Sequence, residues 1–291
     1  MRGSDQQQGH DSQSGMYAFY RIPQIILGRN EWSGIKFDVF GLTKPKLPIT
    51  EEQRDWIDRS FVRLGGLVGA HQLFEAELML PTPEHFPDHY DRSEGALERM
   101  FHRIAARMHV NPAEVEVTLF ASEDDLTNSL VPFYSSRGSG AAGLYHHDPS
   151  SKQRISIDEF QMKDPMTLVA VLAHELGHVI LLRPGLVDRE EANMEPLNDL
   201  LTVFLGFGVF TANAAFRFEQ HQDGRSQGWS ARRLGYLSEE QFGYALARFA
   251  YEREDAKPKW PSFLSTNIRS FMKRSGAWLT ANRAPRLLSG R

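Results

Sequence analysis

The spacing of apolar residues predicts both helices and strands in the first half of the chain. Residues 93–108 carry apolar side chains at every third or fourth position, which is the pattern of an amphipathic helix. Val115–Phe120 alternates apolar and polar residues, as a half-buried strand does. Looser alternation within residues 17–40 predicts further strands, and residues 74–80 predict another.

A hairpin and a buried helix are predicted next. Residues 144–146 and 155–157 flank a short turn rich in Asp, Pro and Ser, which is typical of a β-hairpin. Residues 167–182 form a run that is apolar on most sides, so the helix that contains them is expected to be buried. Asp164 is a favourable N-cap for this helix, and Pro184-Gly185 ends it.

The rest of the chain is predicted to be mostly helical. Thr50 and Ser238 each begin a capping box, with Gln three residues later, and the two helices are expected to reach about residues 67 and 252. One long helix is predicted over residues 188–215. The uncharged run at residues 200–216 is near the lower limit for a membrane span, and its composition favours a buried core helix instead.

These elements predict an α+β fold. We expect a small mixed or antiparallel sheet, an edge strand beside the buried helix, and a mostly helical C-terminal part. The predicted division of the chain is a disordered leader or expression tag, an N-terminal α/β segment, a central core and a helical C-terminal part, at residues 1–15, 16–80, 81–215 and 216–291. These parts could also form one domain.

Composition narrows the function classes. Of the 291 residues, 41% are hydrophobic and 24% are charged, which is ordinary for a globular protein. The absence of cysteine excludes disulfides, cysteine-bound zinc and thiol catalysis. A net charge of −4 gives no reason to expect a nucleic-acid partner, and the basic pairs Arg232-Arg233 and Lys273-Arg274 fit ordinary surface charges. Residues 1–15 lack the apolar core of a secretory signal, so we expect a cytoplasmic protein without stable membrane insertion.

The buried helix contains the sequence His174-Glu175-Leu176-Gly177-His178. Two histidines four residues apart project from the same face of a helix, one turn apart. Both imidazoles can therefore bind one Zn²⁺, and Glu175 can reach a water on that ion as its base. Buried imidazole and carboxyl groups are costly unless something satisfies them, and a metal would do so. The alternative is a core helix with hydrogen-bonded histidines.

A catalytic zinc normally takes three protein ligands and a water. A third histidine six residues after His178 would complete the metzincin pattern, but Pro occupies position 184. A glutamate on the following helix is the remaining choice, and Glu190, Glu191 and Glu195 are available.

Glu195 is favoured because Asp199 lies four residues later, so both carboxylates share one helical face. Glu195 would bind the metal, and Asp199 would accept the N–H of a ligand histidine. The alternatives are Glu191 as the ligand, or two solvated carboxylates at the start of a helix.

This arrangement resembles the gluzincin metallopeptidases, and the likeness covers residues 140–215. The resemblance implies a zincin-like fold around residues 81–215 and a single zinc ion. It implies these roles: zinc ligands His174, His178 and Glu195, general base Glu175, and histidine partner Asp199. The flanking residues 80–87 and 204–213 are similar to those of a group of uncharacterised bacterial proteins with the same motif. Met194 departs from the gluzincin pattern, which has Asn before the ligand glutamate.

The expected function is therefore a zinc metallopeptidase that acts on a peptide or protein substrate. One alternative is a non-catalytic binding or regulatory protein on a zincin scaffold, and another is a zinc hydrolase of non-peptide amides. An intact Glu175 favours catalysis, because a binding protein has no chemical use for it. A group that stabilises the oxyanion is expected among a set of histidines and tyrosines: His146, His147, Tyr145, Tyr236 and Tyr244. The sequence does not predict the oligomeric state.

Overall fold

The computed structural model describes residues 45–120, 143–146, 153–183, 186–222 and 237–288. The first helix, α1, covers Glu51–Leu64. Its capping box is confirmed, because Thr50 Oγ1 accepts from Gln53 N at 3.2 Å and Gln53 Oε1 accepts from Thr50 N at 2.9 Å. The predicted end near residue 67 falls in a wider π-helical turn, Gly65–Gly69, which leads into the short helix α2, Ala70–Glu75.

The strand predicted at residues 74–80 is wrong. Phe74 and Glu75 complete α2, and residues 76–80 are irregular. Met79 N donates to Gly206 O at 2.9 Å, and Arg253 Nη1 donates to Ala76 O at 2.7 Å, so the segment is held by contacts with a loop and with a side chain rather than by a strand partner. The strands predicted within residues 17–40, the leader at 1–15 and the turn between the hairpin strands lie outside the described residues.

A small sheet follows the helix α3, Glu94–Arg107, which is capped by Ser93. The strands are β1, Val115–Phe120, β2, Gly143–His146, and β3, Gln153–Asp158, in the spatial order β1-β3-β2. The predicted hairpin strands do pair antiparallel, with Tyr145 opposite Ile155. However, β1 pairs parallel with β3, with Val117 opposite Ile155, so a purely antiparallel sheet is wrong and the sheet is mixed.

The predicted buried helix is α4, Pro165–Leu181. Asp164 caps it by accepting from Met166 N at 3.0 Å and from Thr167 Oγ1 at 2.8 Å. Every residue of α4 except Met166 is buried. The edge strand β2 packs beside α4, as predicted for the strand next to this helix.

The long helix predicted at 188–215 is two helices, α5, Met194–Phe204, and α6, Gly208–Gln222. The chain breaks at Gly206, whose φ of 90° is a left-handed conformation that residues with side chains rarely adopt. A Cβ there would lie 2.3 Å from Glu77 O, so the close approach of residues 77–79 also requires glycine. The apolar run at 200–216 is thus divided between two short helices.

The C-terminal part contains α7, Glu239–Glu252, and α8, Thr266–Ala281, separated by a 3₁₀ turn at Trp260–Phe263. The predicted capping box at Ser238 is confirmed, with Ser238 N donating to Gln241 Oε1 at 2.9 Å. Asn267 contacts Glu239, and Phe271 lies against Gly243. The two helices therefore run side by side in the same direction.

A buried arginine joins α1 to the C-terminal part. Arg248 is 1% exposed, and its Nη2 and Nε donate to Asp58 at 2.7 and 3.1 Å. Tyr244 donates its hydroxyl to the same carboxylate at 2.8 Å. Glu252 accepts from the backbone N–H of Leu287, so these charges tie α1, α7 and the segment after α8 together. The ion pair and the hydrogen bonds of Arg248 compensate the free-energy cost of burying its guanidinium.

The buried apolar side chains form one cluster that extends from Ile57 to Leu288. The described structure is a mixed α and β protein with a small sheet and mostly helical content. Among the described helices, none combines the length and apolar character needed to cross a bilayer.

Candidate metal centre

The helix α4 places His174 and His178 on one face, as the four-residue spacing predicts. His174 is 1% exposed, and the two imidazole ring centroids are 4.8 Å apart. Their Nε2 atoms converge to 3.1 Å. Both rings therefore direct the same nitrogen at one point beside the helix.

The first turn of α5 brings Glu195 to that point. Glu195 Oε2 lies 3.2 Å from His174 Nε2 and 3.5 Å from His178 Nε2. A tetrahedral ion with bonds of about 2.0–2.1 Å requires ligand atoms about 3.3–3.4 Å apart. The three atoms form a triangle of that size, so the two imidazoles and the carboxylate fit a single zinc ion. Within the part of the chain that the structure describes, this is the group of three or more donors that could hold a metal.

The alternative ligand Glu191 lies elsewhere. Its carboxylate accepts from both terminal nitrogens of Arg63 on α1, with Arg63 Nη2 to Glu191 Oε2 at 2.9 Å. This bidentate ion pair attaches the loop before α5 to α1. Glu191 is therefore committed to Arg63, and the structure brings Glu195 to the histidines instead.

Asp199 supports the first histidine, as the spacing with Glu195 predicts. Asp199 is fully buried, and its Oδ1 lies 3.3 Å from His174 Nδ1. A proton on Nδ1 facing this carboxylate leaves the Nε2 lone pair free to bind a metal. The other oxygen, Oδ2, accepts from Leu237 N at 3.2 Å, just before α7.

The electrostatics of the cluster favour an anionic glutamate and a cationic imidazole when no metal is present. Burial opposes protonation of His174, but its contacts with Asp199 and Glu195 outweigh burial and raise its pKa to about 9. Burial likewise opposes ionisation of Glu195, but the hydrogen bonds with His174 and His178 prevail and lower the Glu195 pKa. Without a metal, the proton on His174 is therefore stabilised by the carboxylates of Asp199 and Glu195.

Glu175 lies next to the first histidine and is 4% exposed. Burial raises the pKa of Glu175, while the neighbouring His178 and His174 oppose that rise. The carboxyl forms no hydrogen bond with any described residue. A buried carboxyl without such support is costly to keep, and a raised pKa is what a proton acceptor near neutral pH needs.

Asn198 contributes to the site although the sequence analysis did not single it out. Its side chain is fully buried, and Nδ2 donates to His174 O at 2.9 Å. Asn198 and Asp199 therefore hold the backbone and the ring of the same histidine. Gly177 makes this possible, because a Cβ at that position would lie 2.0 Å from Asn198 Oδ1. The signal that could have revealed Asn198 is a polar residue on the predicted inner face of α5, one position before Asp199.

We expect Gly177→Ala to destabilise the protein by about 1–3 kcal/mol, because the new methyl group overlaps the Asn198 amide. Adding Asn198→Ala removes the overlap, so the two losses should not be additive. Urea unfolding measures both free energies. Gly276→Ala on α8 is the matched control, since nothing lies within 4 Å of its Cβ position. Additive losses in the double variant would contradict the proposed contact.

Of the predicted oxyanion groups, the structure describes the side chain of Tyr244 alone. The hydroxyl of Tyr244 is bound to Asp58, so its proposed role at the site is wrong. His146 ends the edge strand β2 next to α4, and Tyr145 precedes it, but only their backbone is described. His147 and Tyr236 lie outside the described residues.

No protein-family model, curated protein or solved structure matches this chain.

Proposed function

We propose that the protein is a zinc-dependent hydrolase, most closely a metallopeptidase of the gluzincin type on a zincin-like fold. The observation that carries the proposal is the triangle formed by His174 Nε2, His178 Nε2 and Glu195 Oε2, whose size suits a tetrahedral ion. Glu175, buried on the same helix and adjacent to a ligand, supports a catalytic site over a purely structural one. The substrate would be a peptide or a protein.

The mechanism assigns a separate task to each carboxylate. When bound, zinc lowers the pKa of water to about 7 and polarises the substrate carbonyl. Glu175 accepts the proton of the attacking water at its carboxylate and passes it to the leaving amine. Asp199 keeps the Nδ1 proton of His174 in place throughout, while Glu195 stays ionised.

In this proposal, the sheet supplies a binding edge for an extended substrate. Among the described strands, β2 pairs with β3 on one side only and packs beside α4. A peptide can add to such an edge through main-chain hydrogen bonds, with its carbonyl directed at the metal. This placement favours a polypeptide substrate over a small amide.

The test is a combination of metal analysis and peptide cleavage. Purified protein should contain about one zinc ion per chain by inductively coupled plasma mass spectrometry. It should cleave members of a peptide library, and a chelator should stop the cleavage. Zinc at full stoichiometry without any cleavage would favour the non-catalytic alternative, and metal-free protein that resists zinc loading would overturn the proposal.

Metal binding should release a proton, because His174 must lose its second proton before Nε2 can bind. The pKa of His174 is raised to about 9, so the free site carries that proton near neutral pH. Zinc affinity should therefore rise by about tenfold per pH unit below pH 9 and level off above it. Calorimetry in buffers of different ionisation enthalpy should show about one proton released per ion near pH 7. Affinity that is independent of pH in this range would contradict the assignment of His174.

A further inference from the structure

Acidic residues are absent from the last part of the sequence. Residues 256–291 contain eight lysines and arginines and no aspartate or glutamate. The whole chain carries a net charge of −4, so residues 1–255 carry −12. The net charge of −4 is therefore the sum of an acidic part and a cationic part. An uneven distribution of charge along a chain is typical of proteins that bind a charged partner.

Most of these cations lie on the surface. The inner face of α8 buries Ile268, Met272, Ser275 and Leu279, which leaves the opposite face to solvent. We define the α8 basic surface as the exposed cations on α8 and on either side of it: Lys257, Lys259, Arg269, Arg274, Arg283 and Arg286. A helix of this length extends for about 24 Å, so these cations are distributed along it rather than gathered at one point. We also call this surface the strip.

The described residues do little to neutralise the α8 basic surface. Lys259, Arg269 and Arg274 form no ion pair with any described residue, and Arg286 reaches Glu254 only at 4.0 Å. On α7, Glu239 accepts from Asn267 and Glu252 accepts from backbone N–H groups, whereas Glu240 forms no ion pair with any described residue. A partner with negative charge would find these cations available.

A chain of contacts connects the first turn of α8 with the candidate metal centre. Asn267, in the first turn of α8, contacts Glu239 at 3.3 Å. Two residues before Glu239, Leu237 donates to Asp199, which in turn faces His174. The first turn of α8 is therefore linked to His174 through the start of α7 and through Asp199 on α5.

We propose that the α8 basic surface binds an acidic segment of a polypeptide, and that this segment belongs to the substrate. The second part rests on the proposed hydrolase function, whereas the binding itself does not. An acidic stretch that lies along α8 would hold the substrate while a neighbouring part of the same chain enters the metal centre. Steering by opposite charge would also raise the rate of encounter.

An anionic membrane surface and a single-stranded nucleic acid fit the α8 basic surface less well than an acidic polypeptide does. Insertion at a membrane surface needs exposed apolar side chains, and Val62 on α1 is the large apolar residue exposed among the described residues. Single-stranded nucleic acid needs free aromatic faces, but Phe271 and Trp278 are half-buried, with Arg274 and Arg54 over their rings.

The test is the binding of fluorescein-labelled polyglutamate, followed by anisotropy with metal-free and zinc-loaded protein. Wild type should bind it in both forms, and affinity should fall as salt is added. The variant Lys259→Glu/Arg269→Glu/Arg274→Glu should lose about tenfold or more in affinity. The matched control reverses three exposed cations elsewhere, in Arg59→Glu/Arg99→Glu/Lys163→Glu, and should retain more of the binding. If the first variant does not fold, the glutamine variant of the same three positions replaces it, with a smaller loss expected.

Equal losses in the variant and its control would overturn the proposal. So would tighter binding of a single-stranded oligonucleotide or of phosphatidylserine vesicles, or self-association that the variant abolishes. The substrate assignment has its own readout in a cleaved peptide with an added acidic extension. The extension should lower KM for wild type but not for the variant, with kcat unchanged in both, and no change in KM would overturn this part. Failure to bind zinc would refute the proposed function without affecting polyglutamate binding.

Discussion

Glu175→Gln is expected to abolish peptide cleavage while leaving zinc bound. The amide has nearly the shape of the carboxyl but cannot take a proton from the attacking water, so a loss of about 10²–10⁴ in kcat is expected. The zinc ligands are unchanged, so the metal content should equal that of wild type. Steady-state cleavage of a peptide found in the library screen, together with metal analysis of the same sample, measures both.

Glu190→Gln is the matched control for this variant. Glu190 is an exposed glutamate in the loop between the two metal helices, and its replacement should leave kcat within about twofold of wild type. Glu175→Gln protein that cleaves at the wild-type rate would contradict the assignment of the base. A lost activity that is accompanied by lost zinc would point to a role in metal binding instead.

His178→Ala is expected to remove the zinc site and the stability that zinc supplies. A ligand that binds only the folded state at a concentration of about 100 times its Kd stabilises that state by about 2.7 kcal/mol. For a protein of this size, that corresponds to a rise in Tm of roughly 5–10 °C on zinc loading. The variant should show no such rise, because only two of three ligands remain. Thermal unfolding with and without zinc makes the comparison.

His102→Ala provides the control for the loss of a histidine. His102 is exposed on α3 and away from the cluster, so this variant should keep the full response to zinc. A similar zinc-dependent rise in Tm for His178→Ala would show that zinc binds somewhere else. Glu195→Ala should behave like His178→Ala, which tests the third ligand separately.

Local signals in the sequence predicted many of the elements well. The capping boxes at Thr50 and Ser238 and the N-cap Asp164 define helix starts that the structure reproduces. These signals succeed because a cap satisfies backbone groups within a few residues of itself. The alternation in Val115–Phe120 similarly predicted the first strand with correct limits.

The predictions that failed depend on contacts between distant segments. The break at Gly206 follows from the close approach of the segment at residues 77–79, which no local pattern records. The parallel pairing of β1 and β3 depends on how the chain returns to the sheet, and the alternation of a strand is the same for either direction. Tyr244 illustrates the same limit, since its partner Asp58 is 186 residues away.

The proposed ligand set was predictable because spacing on helices translates directly into geometry. The four-residue intervals from His174 to His178 and from Glu195 to Asp199 each place two side chains on one helical face, and the structure brings these faces together. Asn198 was missed because its role depends on the glycine opposite it, a pairing that exists only once two helices have packed. Residue spacing along the helices predicted which side chains meet at the candidate metal centre. The hydrogen bonds that fix those side chains depend on how the helices pack.

The hydrogen bond from Leu237 N to Asp199 Oδ2 determines how a truncated chain would behave. A fragment that stops at residue 215 would retain every proposed zinc ligand and the base. It would nevertheless deprive a buried carboxylate of its main-chain donor and expose the apolar underside of the helices that α7 covers. Such a fragment would be a poor surrogate for the intact protein, because the helical C-terminal part and the histidines depend on one shared aspartate.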